Sequence, residues 1–196
     1  MLRHAPRRQN GYSFIELLLA ISVAATLAGL AVPLLSGTID DLRAAGAARY
    51  LAARIASARL EAVRRSSTVA LRFEPQGADY AFRPFLDGNG NGLRALDVGS
   101  GTDRPLGPAE RLQDHFAHTS FGLLPAVPDL EGGTGSADGV RIGPSAFLSV
   151  SPNGSSTGGT LYVHGSRRQF AVRILGATGR VRFFQYDTGA RRWITR

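Results

Sequence analysis

Cysteine is absent from the 196 residues, and so is lysine: all 23 basic residues are arginine. Without cysteine there is no disulfide scaffold, zinc knuckle or thiol nucleophile. Without lysine there is no Schiff-base amine, phosphate-loop lysine or serine–lysine dyad. Charge is sparse, at 19% of residues against 43% hydrophobic, a globular balance that is neither disordered nor repetitive. The length suits one domain with an appendage and falls short of two ordinary domains.

The charge that is present lies unevenly. Residues 1–11 carry Arg3, Arg7 and Arg8 with no acid, and residues 12–164 hold 12 arginines against 14 acids. From Gly165 to Arg196 there are eight arginines and one acid, Asp187, so the net charge of +8 comes from the two ends. A basic end can attract phosphates and anionic partners; more often it is the solvated face of a strand that keeps a protein soluble.

Between Glu16 and Asp40 lie 23 residues without formal charge, Leu17 to Ile39, with Leu17 to Leu35 reading LLLAISVAATLAGLAVPLL. At 1.5 Å per residue, about 20 apolar residues cross a bilayer core as a helix. The three preceding arginines predict a cytoplasmic N-terminus and an exported remainder. No small-residue cleavage site follows the run directly, so it reads as retained rather than as a secretory signal. Glu16 sits at its edge, where an unpartnered carboxylate is expensive.

Beyond Pro33 the spacing predicts a second helical stretch to about residue 66, capped by Ser36 or Thr38, with Asp40 and Asp41 in its first turn. Ile39, Leu42, Leu51, Ile55 and Val63, with interspersed alanines, approximate its apolar stripe, and six arginines make its other side basic. The two stretches together span about 54 residues, on the order of 80 Å, with a kink or local opening at Pro33.

After Ser67 the period changes to short strands between Gly, Pro, Asn and Asp turns. Predicted strands are Thr68–Phe73, Asp79–Phe85, His118–Leu123, Phe147–Val150, Thr160–His164, Gln169–Leu175, Arg180–Tyr186 and Arg191–Ile194. QFAVRIL and RVRFFQY, joined by GATG, form a hairpin. Helix first and antiparallel strands after make the class α+β, a long N-terminal hydrophobic helix packed on an antiparallel sheet.

Few residues invite catalysis or metal binding. DGNGNG at 87–92 has the start of a calcium loop, but its twelfth position is Val98 rather than an acid, which favours a Gly/Asn-rich turn. His115 and His118 have no acid at ligand spacing, and His164 has no evident carboxylate partner. The chain therefore reads as non-enzymatic, with no cofactor and no metal.

Gly11-Tyr12-Ser13-Phe14-Ile15-Glu16, between a basic leader and the apolar run, closely resembles the type IV prepilin signature. The resemblance implies cleavage by a prepilin peptidase between Gly11 and Tyr12 on the cytoplasmic side, followed by methylation of the new Tyr12 amino group. The family usually has Phe where Tyr12 stands; the aromatic character is kept. Glu16 would then pair with that amine, on its own chain or on a neighbour, and disfavour wrong registers in a medium of low dielectric. The implied organisation is a cleaved leader at 1–11, a helix at 12–66 with its first half transmembrane, and a β-rich periplasmic domain at 67–196.

Phe85-Leu86-Asp87-Gly88-Asn89-Gly90-Asn91-Gly92, Gly-Thr-Leu-Tyr at 159–162 and Gly179-Arg180-Val181-Arg182 further resemble the GspH/FimT minor pseudopilins. That resemblance implies a structural subunit at the tip or in the body of a type II secretion pseudopilus or a related type IV pilus. Its partners would be prepilin peptidase, other pseudopilins or pilins, and inner-membrane lipid. Some FimT-type pilins bind DNA, and a Gly-Arg-x-Arg element is linked to that, which makes Arg180, Arg182, Arg191 and Arg192 a second, DNA-binding candidate. Arg180 and Arg182 share a strand face, and Tyr186 or Trp193 would add stacking. The competing reading of this strand is a half-exposed edge without a ligand.

Overall fold

The structure, a computed structural model, describes residues 11–133 and 137–196, and within 30–36 the backbone alone. The expected leader, apart from Gly11, lies outside the described residues. Helix α1 runs Phe14–Arg65 as one element, continuous through Pro33 and through the expected second start at Ser36 or Thr38. It closes on a Schellman-type turn: Ser67 N–H donates to Ala62 O and Ser66 N–H to Val63 O, each at 3.2 Å, with Ser66 at φ 51°. Arg64 and Arg65 in the last turn suit the negative end of the helix.

Of the bulky residues in the expected stripe, the packed face of α1 keeps only Leu51 and Ile55, with alanines at its other positions. Ile39, Leu42 and Val63 are exposed, whereas Ala44, Ala47, Ala48, Leu51, Ile55, Ala58 and Ala62 are buried. Counted from Ala44, these seven fall at i, i+3, i+4, i+7, i+11, i+14 and i+18, one face of a 3.6-residue period. Alanine lets the helix axis come close to the strands, so the small residues win the core side. At Gly46 an added Cβ would lie 2.8 Å from Phe116 Cε1, so the ring occupies the space that the missing side chain leaves.

The strands are β1 (Val69–Gln76), β2 (Asp79–Leu86), β3 (Arg104–Pro105), β4 (Glu110–Arg111), β5 (Ser120–Phe121), β6 (Val140–Arg141), β7 (Phe147–Val150), β8 (Gly159–His164), β9 (Gln169–Leu175), β10 (Arg180–Asp187) and β11 (Arg192–Thr195); short helices α2 (Ala95–Ser100) and α3 (Leu112–His115) lie between them. They form two antiparallel sheets, one in the order β3-β2-β1-β7 with β4 also on β2, the other β11-β10-β9-β8-β5 with β6 also on β8. Alternation builds the core: Val69, Leu71 and Phe73 of β1 and Leu161, Val163, Val172 and Ile174 of β8 and β9 join the helix residues in one buried cluster. The α+β class is as expected.

Each long predicted strand is present. The exception in extent is His118–Leu123, reduced to Ser120–Phe121: His118 adopts φ 63°, and Gly122, at φ 145°, keeps only its N–H bond to Tyr162 O at 3.0 Å. The two-residue strands β3, β4 and β6 escaped prediction because so short a ladder carries no period.

The chain divides into two compact units, Met1–Thr38 and Ile39–Arg196, so the division falls inside α1 rather than at the helix–strand boundary. The reason is that residues from Ala44 onward pack against the sheets. In the first unit, Phe14, Ile15, Leu17, Leu18, Leu19, Ile21, Val23 and Leu27 are all exposed. Among the described residues no helix is long and apolar enough to cross a membrane. The expected span runs on through 30–35, whose side chains are not among those described.

Candidate functional site

At the N-terminal site, Ser13 precedes the first helical residue and Glu16 is the third. Ser13 O accepts from Leu17 N–H at 3.1 Å, and Ser13 N–H donates to Glu16 Oε2 at 3.4 Å. This is the returning half of a capping box, in which the carboxylate satisfies an orphan amide and faces the positive helix end. Gly11 and Tyr12 lie ahead of the helix in extended, exposed chain, with Tyr12 86% exposed. Within the apolar run, Ser22 Oγ donates to Leu18 O and Thr26 Oγ1 to Ser22 O, both at 2.8 Å. Each hydroxyl is thus satisfied one turn back, and the segment needs no external partner for either.

The four arginines of the second candidate do not form one patch. Arg180 and Arg182 are exposed and project from one face of β10, two residues or about 7 Å apart. The hairpin register sets Arg182 opposite Arg173, whose guanidinium pairs with Glu131 at 2.7 Å. Arg192 stands opposite Asp187, five residues beyond Arg182, about 17 Å along the strand and on the other face of the sheet. Arg191, at φ 48°, belongs to the turn between β10 and β11. That turn is held by Asp187 Oδ1, which accepts from Ala190 N–H at 3.0 Å and Gly189 N–H at 2.9 Å. These amides, with Arg192 nearby, keep the Asp187 carboxyl below its ordinary range.

The expected stacking partners are engaged internally. Tyr186 is buried with its ring 5.4 Å from Trp193, and Trp193 Nε1–H donates to Pro128 O at 3.0 Å. The aromatic residue that shares the Arg180–Arg182 face and is not so pinned is the half-buried Phe184. Sequence reasoning missed Phe184, although the alternation along RVRFFQY carried the signal.

A strap over residues 122–133 covers the remainder of that sheet face. Leu130 N–H donates to Tyr162 Oη at 3.0 Å, Leu124 N–H to Gln169 Oε1 at 2.8 Å, and Arg141 pairs with Asp129 at 2.5 Å. The Arg141 guanidinium, aided by the amides of Gly133 and Glu131, holds the Asp129 carboxyl below its ordinary value.

The DGNGNG loop is a self-capping turn. Asp87 Oδ1 accepts from Asn89 N–H at 3.1 Å and Gly90 N–H at 2.7 Å, and Oδ2 from Gly92 N–H at 2.8 Å. Asp103 Oδ1 accepts from Gly88 N–H at 3.1 Å and its Oδ2 from Arg94 N–H at 3.2 Å. Carboxylate oxygens spent on amides leave little for a cation, and among the described residues no group of three or more His, Asp or Glu is set to hold a metal.

His115 packs on the Tyr50 ring and lies 4.0 Å from Glu110, which also accepts from Tyr50 Oη–H and pairs with Arg54. Burial, reinforced by the bond to Glu110, raises the Tyr50 phenol above its ordinary value. The cluster ties α1 to the β4–α3 segment. Gly154-Ser155-Ser156-Thr157-Gly158 spells the letters of a nucleophile elbow, which the sequence reading overlooked. It joins β7 to β8 with no helix after it, and Ser156 Oγ is shielded without a partner, so the strand–turn–helix geometry of such an elbow is missing.

A long N-terminal helix with an antiparallel domain packed on its second half is the architecture of a pilin-type structural subunit. Residues 47–178 match the family described as Type II transport protein GspH, and the chain belongs to that family. The match stops two residues before Arg180 and begins after the N-terminal signature. The chain is also 41% identical over 91 residues to the pilin-like protein PilA1 of Thermus thermophilus, covering 46% of this chain and 55% of that protein. It thus spans about half the length of the curated relative it matches. No solved structure matches. Members of the family are structural, non-enzymatic subunits.

Proposed function

We propose that the chain is a minor pseudopilin of a type II secretion pseudopilus or a related type IV pilus, supporting protein secretion by assembly at the tip. In this reading prepilin peptidase cuts between Gly11 and Tyr12 and methylates Tyr12. The apolar part of α1 then holds the subunit in the inner membrane, N-terminus cytoplasmic and globular unit periplasmic, until it joins other pilins. The observation that carries it is the Gly11–Glu16 signature leading into a helix whose bulky apolar residues from Phe14 to Leu27 are all exposed and whose hydroxyls are internally bonded. Such a surface needs lipid or neighbouring helices around it. Glu16, bonded to Ser13 N–H in the single chain, exchanges that amide for the charged Tyr12 amine once the leader is removed.

The test is to co-express the chain with a prepilin peptidase and weigh its N-terminus. A mature start at N-methyl-Tyr12, lost in Gly11→Ala, is the expected result; a chain still starting at Met1 in the wild type sinks the reading. Glu16→Ala should then abolish secretion while leaving protein levels intact.

A second reading, DNA capture, is favoured by one observation: Arg180 and Arg182 are exposed on one face with Phe184 beside them. The binding would be sequence-independent and weaken with salt. Arg180→Ala/Arg182→Ala should lower the slope of log K against log salt by about 2, whereas Arg191→Ala/Arg192→Ala, on another part of the sheet, should leave most of it. An unchanged slope in the first pair removes DNA from this strand.

A further inference from the structure

We propose that a cleft between the first packed turns of α1 and strands β9 and β10 binds the headgroup and upper acyl chain of an anionic glycerophospholipid. The proposal rests on the membrane-anchored reading above. The cleft holds about 360 Å³ and lies wholly within the Ile39–Arg196 unit. Its floor is apolar: Leu42, 67% exposed, with Ala45, Phe170 and Phe183. Its rim is charged, with Arg49, Arg168 and Arg196 against a single acid, Asp41. Three guanidiniums against one carboxylate leave an excess of positive charge over a hydrocarbon surface.

Asp41 makes the rim more specific. Its Oδ2 accepts from Arg167 Nη2 at 3.3 Å and Arg168 Nε at 3.2 Å, which holds Arg168 at the edge of the cleft. Its Oδ1 is shielded from solvent, so the carboxylate meets the rim through Oδ2 alone. A glycerophospholipid offers both complements: a phosphate for the arginines and an acyl chain for the Leu42–Phe183 floor.

Chain connectivity puts the cleft where such a ligand is found. Asp41 is the sixth residue after Leu35, the end of the apolar run, so the rim is tethered within about 20 Å of that end even were the chain fully extended. Juxtamembrane cations of this kind attract anionic lipid surfaces, and arginine stems cover apolar surface while their heads reach phosphate. A nucleic-acid duplex supplies the phosphates but nothing that fits the apolar floor.

The test uses the full chain in nanodiscs of phosphatidylcholine with or without phosphatidylglycerol, counting retained lipids by native mass spectrometry. The expected result is preferential retention of phosphatidylglycerol. Arg168→Gln/Arg196→Gln should weaken it roughly 30-fold, the effect of two interfacial cations, and Arg180→Gln/Arg182→Gln should leave it unchanged. Leu42→Ser, at an exposed position that the fold does not use, should also shorten retention and serves if the double variant misfolds. Equal retention of both lipids, an unaltered Leu42→Ser, an equal loss in the Arg180/Arg182 variant, or displacement by soluble glycerol phosphate or duplex DNA at equal phosphate would each overturn the lipid site and leave the anchor standing. A chain that does not enter nanodiscs at all would overturn both.

Discussion

The two halves of α1 use apolar residues in opposite ways. From Phe14 to Leu27 the bulky side chains are exposed on every side of the helix, while from Ala44 to Ala62 the buried face is mostly alanine and the large Leu42, Leu60 and Val63 stay outside. In the first half, size and apolarity are turned outward to whatever surrounds the helix. In the second they are subordinate to fit, because a helix against a sheet gains more from close approach than from each bulky side chain. Hydropathy alone therefore does not say which face of this helix is inside. The comparison also separates the two halves by packing: the first leaves its bulky side chains exposed, and the second holds the helix to the sheets.

The largest expected effect that sharpens this contrast is at Leu51, fully buried in the second half. Leu51→Ala should cost about 2–5 kcal/mol and lower Tm by about 4–20 °C, whereas Leu18→Ala should leave the same unfolding transition in place. Equal losses in thermal melts of the two variants would break the distinction.

Next is Gly46, where a branched side chain must displace Phe116. Gly46→Val should cost about 1–3 kcal/mol in a denaturant titration, and an undisturbed midpoint would mean that the helix is not held so closely.

A smaller, pH-dependent effect is expected at the strap. Asp129 has its carboxyl lowered from 3.8 by Arg141, so its stabilisation is complete above that value and is lost as pH falls through the lower folded value. The stability gap between wild type and Asp129→Asn should be constant above about pH 4 and close in more acid solution. A gap that persists unchanged below about pH 3 would show that packing, not the ion pair, is responsible. The smallest effect is at Leu60, 69% exposed, where Leu60→Ala should change stability by no more than about 0.5 kcal/mol while reducing co-assembly with partner pilins in a pull-down.

The sequence by itself determined whatever depends on near neighbours along the chain. The helical period, the α+β order and the QFAVRIL–RVRFFQY hairpin were legible because periodicity and turn chemistry act over a few residues. Tertiary structure alone decided what depends on distant partners. It chose alanine for the packed face of α1 and spent Asp87 and Asp103 on backbone amides. It pinned Trp193 between Tyr186 and Tyr162, and it divided Arg180 and Arg182 from Arg192 by face and by distance along β10. It also brought Asp41, from the start of the packed helix, beside Arg167 and Arg168, more than a hundred residues further on. Local pattern states what a segment can form, but burial and charge pairing are set by which segments meet.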